Sequence, residues 1–291
     1  MNDDVIRALR TGKSRQAPPR AAAMTEALRG LGYSPSTALA DIIDNSISAQ
    51  ATKVDLQFHW AESDSHIAIL DNGRGMTGPQ LDLAMRLGER SPLDERETGD
   101  LGRFGLGLKT ASFSQCRSLT VASIADGNLG CLRWDLDVLA SSCDDGWHLL
   151  EGPAEGSEHL LAPLLEAGEG TIILWEKLDR IVTPGFALQD FLDLMDTIQR
   201  HLAMVFHRFL SGHPRRLELS INSREIAPWD PFLSHHPATW SSPLVRLTGG
   251  VEAQGYVLPH KDRLSPQEMA TAGGSSDPCE EGHSLVPRRR R

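Results

Sequence analysis

The stretch DIIDNSISAQ, residues 41–50, decides the fold because it predicts an amphipathic helix with a polar cluster. The helix is expected to run from about Thr37 to Ala49, with Ser36 as its N-cap. At roughly 100° per residue, the apolar side chains share one side: Leu39, Ile42 and Ile43. The polar side chains share the other: Asp41, Asp44, Asn45 and Ser48. A solvated surface is enough to explain this stretch by itself, so its meaning depends on what surrounds it.

Two strands and a glycine turn follow this helix. KVDLQF (53–58) alternates apolar and polar residues, and HIAIL (66–70) is a nearly continuous apolar run that ends in DNGRGM (71–76). Gly73 and Gly75 permit a tight turn and a close approach of a ligand to the backbone. Asp71, at the strand end, is placed to accept a hydrogen bond from an exocyclic amine such as that of adenine. The tripeptide DNG is also a common turn.

Two further elements lie downstream. In GDLGRFGLGLKTAS (99–112), Gly102, Gly105 and Gly107 precede a predicted helix and would present backbone N–H groups to phosphates. The segment is not a P-loop, since the Gly-Lys-Ser/Thr pattern is missing, and no strand precedes it as in a Rossmann fingerprint. In EGTIILW (169–175), Thr171 begins a predicted buried strand and offers a hydroxyl group.

Together these elements resemble the GHKL ATPases, which include gyrase B-type topoisomerases, ninety-kilodalton heat-shock chaperones, sensor histidine kinases and MutL mismatch-repair proteins. The motifs occur in that family's order, from Asn45 through Asp71 and the Gly102–Gly107 glycines to Thr171, over about 130 residues. Within the family, DNGRGM, GRFGLGLKTAS and GTIILWEKL look most similar to microrchidia-type and related bacterial ATPases.

The resemblance implies a role for each matching residue. Asn45 would coordinate a Mg²⁺ ion that bridges the phosphates of ATP, and Asp71 would bind the adenine amine with support from Thr171 through water. The remaining positions would also contact the nucleotide: Gly73, Gly75 and Met76 at the adenine pocket, Gly102, Gly105, Leu106 and Gly107 in a lid over the triphosphate, and Lys109 at the lid or the γ-phosphate.

The position of the general base departs from the family pattern. Hydrolysing relatives usually carry a glutamate one turn before the asparagine, whereas this chain has Asp41. Because the aspartate side chain is one methylene shorter, its reach to the γ-phosphate changes, and slow hydrolysis is expected.

The resemblance and the predicted elements give an α+β fold, a Bergerat-type α/β sandwich with helices on one face of a mixed, mostly antiparallel sheet. We expect a flexible arm (1–20), the ATP-binding domain (21–184), a partial transducer-like domain (185–268) and an atypical, disordered tail (269–291). RLELSINSREI (216–226) predicts a hairpin that turns at Asn222-Ser223. The atypical tail leads us to expect a truncated or frame-shifted C-terminus, and no transducer lysine is identified.

Composition limits the classes of protein. The formal net charge of −10 argues weakly against a protein that coats nucleic acid, and the four widely spaced cysteines predict neither zinc nor disulfides. No apolar run reaches the length that spans a bilayer, and the N-terminus lacks a secretory signal, so a cytoplasmic location is expected. The expected partners are ATP and, by resemblance, a second copy in an ATP-dependent homodimer. No protein or nucleic-acid client is predicted.

Two alternative functions remain. A histidine-kinase-type catalytic domain is disfavoured because no pair of dimerisation helices with a phosphoacceptor histidine precedes the asparagine helix, and a transducer-like region follows. An interaction module that binds ATP without turnover stays open, because Asp41 replaces the glutamate and the transducer is incomplete.

Overall fold

A computed structural model of the chain describes residues 19–30, 32–88, 107–144, 146–212, 214–248 and 252–272. The α-helices are Ala21–Arg29 (α1), Pro35–Ser48 (α2), Gly78–Met85 (α3), Gly107–Phe113 (α4), Leu136–Ser141 (α5), Ala162–Ala167 (α6), Leu188–Val205 (α7), His207–Leu210 (α8) and Pro266–Thr271 (α9). The strands are Lys53–His59 (β1), His66–Asp71 (β2), Ser118–Ala125 (β3), Asn128–Asp135 (β4), Leu150–Glu151 (β5), Gly170–Glu176 (β6), Glu218–Ile221 (β7), Arg224–Glu225 (β8), Trp240–Ser241 (β9), Val245–Arg246 (β10), Glu252–Ala253 (β11) and Tyr256–Val257 (β12).

One eight-stranded sheet organises the fold, in the order β5-β4-β3-β6-β2-β1-β7-β8. Neighbouring strands are antiparallel except β1 and β7, which are parallel. The predicted alternation in β1 is confirmed, since Val54, Leu56 and Phe58 are buried. The sheet and its helices confirm the predicted α+β sandwich with a mixed, mostly antiparallel sheet.

Helix α2 packs on one face of the sheet with α4 and α7 as neighbours. Its predicted apolar side is confirmed, because Leu39, Ile42 and Ile43 are fully buried. The predicted N-cap is wrong: the helix begins at Pro35, and the Ser34 hydroxyl accepts a hydrogen bond from the Thr37 amide at 3.2 Å. Proline suits the first helical position because its missing N–H would have no helical partner there.

The opposite face of the sheet also carries a helix, which the sequence did not predict. Short helix α6 contacts β3 and β6, and Leu161 and Leu164 pack there on Ala122 and Ile172. All residues of β3 and most of β6 are buried. Strands that are apolar on both faces require cover on both, which explains this second layer.

The chain after residue 185 extends the same sheet. Strand β7 pairs with β1, and the predicted hairpin turn is confirmed, with positive φ values of 47° at Asn222 and 63° at Ser223. These pairings cross the boundary predicted at residue 185, so the sheet includes residues from both sides of it. The transducer-like character of residues 185–268 stays a prediction. Strands β9–β12 form two small antiparallel pairs, β10 with β11 and β9 with β12.

Among the described residues, no helix combines the length and the apolar character needed to cross a membrane. The predicted tail falls almost wholly outside the described residues, as does most of the predicted arm.

Candidate nucleotide-binding site

A row of polar side chains crosses the three central strands at one end of the sheet. Asp71 on β2 lies opposite Thr171 on β6, which in turn lies opposite Ser123 on β3. All three are buried, and Asp71 is only 6% exposed. Strand alternation puts the row on the same face as Ile69 and Ile173, beneath the helices. Hydrogen-bonding groups therefore replace apolar ones at the edge of the core.

The Asp71 carboxylate is held from two sides. The Ser46 hydroxyl of α2 donates to Oδ2 at 2.7 Å, and the backbone N–H of Gly73 donates to Oδ1 at 2.8 Å. Burial raises the pKa of Asp71 above its usual range, while the hydrogen bonds from Ser46, Gly73 and Thr171 act in the opposite direction. A carboxylate has about four lone-pair sites. The fixed group can therefore accept a further hydrogen bond from a ligand.

The turn after Asp71 requires glycine at two positions. A Cβ on Gly73 would lie 2.9 Å from Asp71 Oδ1 and 3.0 Å from the Ala49 carbonyl oxygen. At Gly75, φ is +64° and a Cβ would lie 2.0 Å from the carbonyl oxygen of Ile124. The turn thus lies tightly against the end of α2 and against β3, and the close approach of a ligand to its backbone stays a prediction.

Ser123 ties this turn to the polar row. Its Oγ accepts a 2.8 Å hydrogen bond from the backbone N–H of Met76. The same Oγ lies 2.9 Å from the carbonyl oxygen of Gly170 and 2.9 Å from Thr171 Oγ1. Met76 therefore joins the site through its main chain.

Sequence reasoning missed Ser46 and Ser123. Each carries a recognisable signal, because Ser46 falls on the apolar side of α2 and Ser123 interrupts an apolar strand. Buried hydroxyl groups nearly always have hydrogen-bond partners, so a serine at such a position indicates a buried polar network.

Asp41 and Asn45 lie on the more open side of α2, where Asp41 is half-buried and Asn45 is exposed. Burial and the charge of the neighbouring Asp41 raise the pKa of the Tyr33 hydroxyl. Asp44, predicted on this same side, is buried with 9% exposure, so only part of the polar side is open. The roles of Asp41 and Asn45 stay predictions.

The predicted phosphate-binding segment is described only from Gly107, the first residue of α4. Gly102, Gly105 and Leu106 lie outside the described residues. Lys109 is buried with 1% exposure, and its Nζ donates to the carbonyl oxygen of Ala84 near the end of α3 at 2.7 Å. This lysine thus links α4 to α3, and its contact with a nucleotide stays a prediction.

The oxygen donors of α2 fit magnesium. Within the described ranges, no group of three or more His, Cys, Asp or Glu side chains is arranged to hold a metal ion. Mg²⁺ bound to a nucleotide needs few protein ligands, because phosphates and waters supply most of its oxygen shell. The exposed amide of Asn45 offers one such ligand.

A mixed, mostly antiparallel sheet under helices, with a fixed carboxylate beside a glycine turn, forms an α+β sandwich of the Bergerat type. Residues 33–171 match the family model described as histidine kinase-, DNA gyrase B-, and HSP90-like ATPase. Residues 33–171 therefore form a GHKL-type ATPase domain, and such a domain implies ATP binding.

The relatives found among characterised proteins are MutL proteins, which are themselves members of the GHKL superfamily. DNA mismatch repair protein MutL of Halobacterium salinarum is 32% identical over 92 residues, which are 32% of this chain and 13% of that protein. MutL of Rhodospirillum rubrum is 29% identical over 182 residues, 62% of this chain and 25% of that protein. The chain thus spans a quarter or less of these relatives. The likeness to microrchidia-type ATPases stays a prediction.

Proposed function

We propose that this protein binds ATP with Mg²⁺, hydrolyses it slowly, and uses closure of its glycine-rich segment over the nucleotide as a conformational switch. The observation that carries the proposal is the buried Asp71 carboxylate, held by Ser46 and Gly73 beside a turn that only glycine can form. Ordering of a segment by the γ-phosphate is an established kind of switch.

At the base end, Asp71 accepts a hydrogen bond from the adenine amine. Ser46 and Gly73 hold both carboxylate oxygens, so the acceptor is oriented before ATP arrives. Thr171, next to Asp71 across the strands, supports the base through water. Gly73 and Gly75 let the turn lie tightly against the end of α2 and against β3, which fixes the backbone beside Asp71.

At the phosphate end, Asn45 holds Mg²⁺ through its amide oxygen. The bound ion would offset the negative charge of the phosphates. Asp41, one turn earlier, accepts a proton from the attacking water, and the Tyr33 hydroxyl restrains its carboxyl group. Because a misplacement of about 1 Å can lower a rate about 100-fold, the short aspartate side chain accounts for slow turnover.

The binding step is tested with Asp71→Asn in isothermal titration calorimetry with ATP. The variant replaces an acceptor by an amide whose NH₂ group faces the adenine amine. Hydrogen bonds to charged groups contribute about 1.5–3 kcal/mol, so affinity should fall roughly 10- to 150-fold. The exposed Asp64→Asn is the matched control and should bind as the wild type does. Unchanged affinity in a folded Asp71→Asn would remove the pocket assignment.

Turnover is tested separately by steady-state phosphate release from the wild type, Asp41→Ala and Asp41→Glu. We expect Asp41→Ala to abolish release and Asp41→Glu to raise it, since glutamate restores the reach found in the hydrolysing relatives. The short side chain of Asp41 also favours a second candidate, an interaction module that binds ATP without turnover. Equal background release from the wild type and Asp41→Ala would establish that candidate and leave ATP binding intact.

The proposal extends to assembly and location. We propose a cytoplasmic protein whose ATP-bound form dimerises. Sedimentation velocity with a non-hydrolysable ATP analogue should show a dimer that the nucleotide-free protein and Asp71→Asn lack. A monomer under all conditions, at saturating nucleotide, would remove the homodimer from the proposal.

A further inference from the structure

Ser123 makes three polar contacts with a single hydroxyl group. The Met76 backbone N–H lies 2.8 Å from its Oγ and can only donate. The Gly170 carbonyl oxygen, at 2.9 Å, can only accept. Thr171 Oγ1, also at 2.9 Å, can do either. Ser123 is fully buried.

Proton counting fixes the direction of each bond. A serine hydroxyl has one proton and two lone pairs. If Ser123 gave its proton to Thr171, two oxygen lone pairs would face each other at the Gly170 carbonyl. If it gives the proton to Gly170, all three contacts are satisfied, with Met76 and Thr171 both donating to Ser123. The second arrangement is the one in which no contact is repulsive.

In this arrangement the Thr171 hydroxyl group has only oxygen lone pairs to offer a ligand. Its proton points to Ser123, so Thr171 Oγ1 can only accept hydrogen bonds from a water or ligand. The neighbouring Asp71 carboxylate likewise accepts. Two acceptors side by side favour an amine, which donates, over a carbonyl oxygen, which does not.

We propose that Ser123 is a specificity-determining residue that sets the hydrogen-bond polarity of Thr171, so that the site selects purine nucleotides with an amine at position 6 over those with an oxygen there. The inference rests on the proposed ATP site and adds to it a residue outside the recognised motifs. Ser123 acts through Thr171 and is a positioning residue.

The probes are ATP and inosine triphosphate, which differ at the group in question. The measured quantity is the ratio of the dissociation constant for inosine triphosphate to that for ATP. Ser123→Ala frees the Thr171 hydroxyl to turn and donate, so the ratio should fall about tenfold or more, which is the size expected for one misdirected hydrogen bond. Ser118→Ala is the matched control, because Ser118 is buried on the same strand and its hydroxyl has no hydrogen-bond partner among the described residues.

A double-mutant cycle separates this role from a general loosening of the site. Thr171→Val should lower the same ratio, and adding Ser123→Ala in that background should change it no further. An equal fall of the ratio in both backgrounds would show that Ser123 does not act through Thr171 and would overturn the inference. So would a wild-type ratio in a Ser123→Ala protein that keeps its melting temperature.

A variant that does not fold and a wild type that does not bind nucleotide have different consequences. If Ser123→Ala does not fold, Ser123→Cys replaces it, since a thiol group fills the site but donates and accepts hydrogen bonds only weakly, and the same fall in the ratio is expected. If the wild type binds neither nucleotide, the proposed ATP site itself fails. The inference about Ser123 fails in a different way: the wild type binds ATP, and the Ser123 variant keeps the wild-type ratio of dissociation constants.

Discussion

Replacing Gly75 by alanine tests how closely the turn after Asp71 lies against β3. The new Cβ would be 2.0 Å from the carbonyl oxygen of Ile124, whereas an ordinary contact begins at 3.4 Å. The turn must therefore move away from the strand. The next residue, Met76, donates the 2.8 Å hydrogen bond to Ser123, and that bond is the first to be lost.

The size of the effect follows from three contributions. An alanine at a φ of +64° adds about 1–2 kcal/mol because Cβ crowds the following carbonyl group. Loss of the Met76–Ser123 hydrogen bond adds about 1 kcal/mol. Residual crowding against Ile124 adds to both. We expect the free energy of unfolding to fall by at least about 2–3 kcal/mol, which lowers the melting temperature by at least about 5 °C for a domain of this size.

Two glycine variants separate the contributions in thermal and urea unfolding. Gly127 has a φ of +73° but open space around its Cβ position, so Gly127→Ala should show the backbone term alone. Gly78 has open space and no positive φ, so Gly78→Ala should stay within about 0.5 kcal/mol of the wild type. ATP affinity should fall in Gly75→Ala only. If Gly75→Ala loses no more stability than Gly127→Ala and binds ATP equally well, the close approach to β3 is refuted.

Three further predictions concern the carboxylates. Ser46→Ala removes a donor to the buried Asp71, so urea unfolding should show a loss of about 1.5–3 kcal/mol and calorimetry a weaker ATP affinity; no change in either would contradict the contact. The pKa of Asp71 in the folded protein is raised above its ordinary 3.8. As pH falls, the folded state therefore protonates Asp71 before the unfolded state does. The free energy of unfolding of the wild type relative to Asp71→Asn should therefore decrease as pH rises through the window just above 3.8, while wild-type ATP affinity increases; parallel pH curves for the two proteins would refute this. Tyr33→Phe removes the hydroxyl group that neighbours the Asp41 carboxylate, so phosphate release should slow about tenfold with ATP affinity unchanged. An unaltered rate would show that Asp41 needs no restraint from Tyr33.

The parts of the site that depend on local chemistry were predictable from the sequence. Asp71 at a strand end and the Gly73–Gly75 turn follow from a short apolar run and from turn-forming residues. The buried side of α2 follows from helical spacing. Even there the helix began two residues earlier than predicted, because Ser34 and Pro35 together form a better start than Ser36.

The parts that depend on strand register were not predictable. Ser123, Thr171 and Asp71 meet because β3, β6 and β2 are neighbours in one register, although the residues lie 48 and 100 positions apart in the chain. A shift of one residue would turn a strand's side chains to the other face, and nothing local in the sequence excludes that shift. The same holds for β7, whose parallel pairing with β1 joins segments far apart in the chain.

Helix α2 connects the two ends of the proposed site through one rigid element. Its inner side holds Asp71 through Ser46, and its more open side carries Asp41 and Asn45. Because Ile42 and Ile43 are fully buried, the helix cannot rotate or slide toward a nucleotide without exposing them, at about 1.5–3 kcal/mol each. A shift would also break the hydrogen bond from Ser46 that orients the Asp71 carboxylate. Movement of the helix therefore cannot compensate for the shorter side chain of Asp41 while Asp71 keeps the position proposed for adenine binding. Slow hydrolysis with intact ATP binding is the behaviour that this geometry favours.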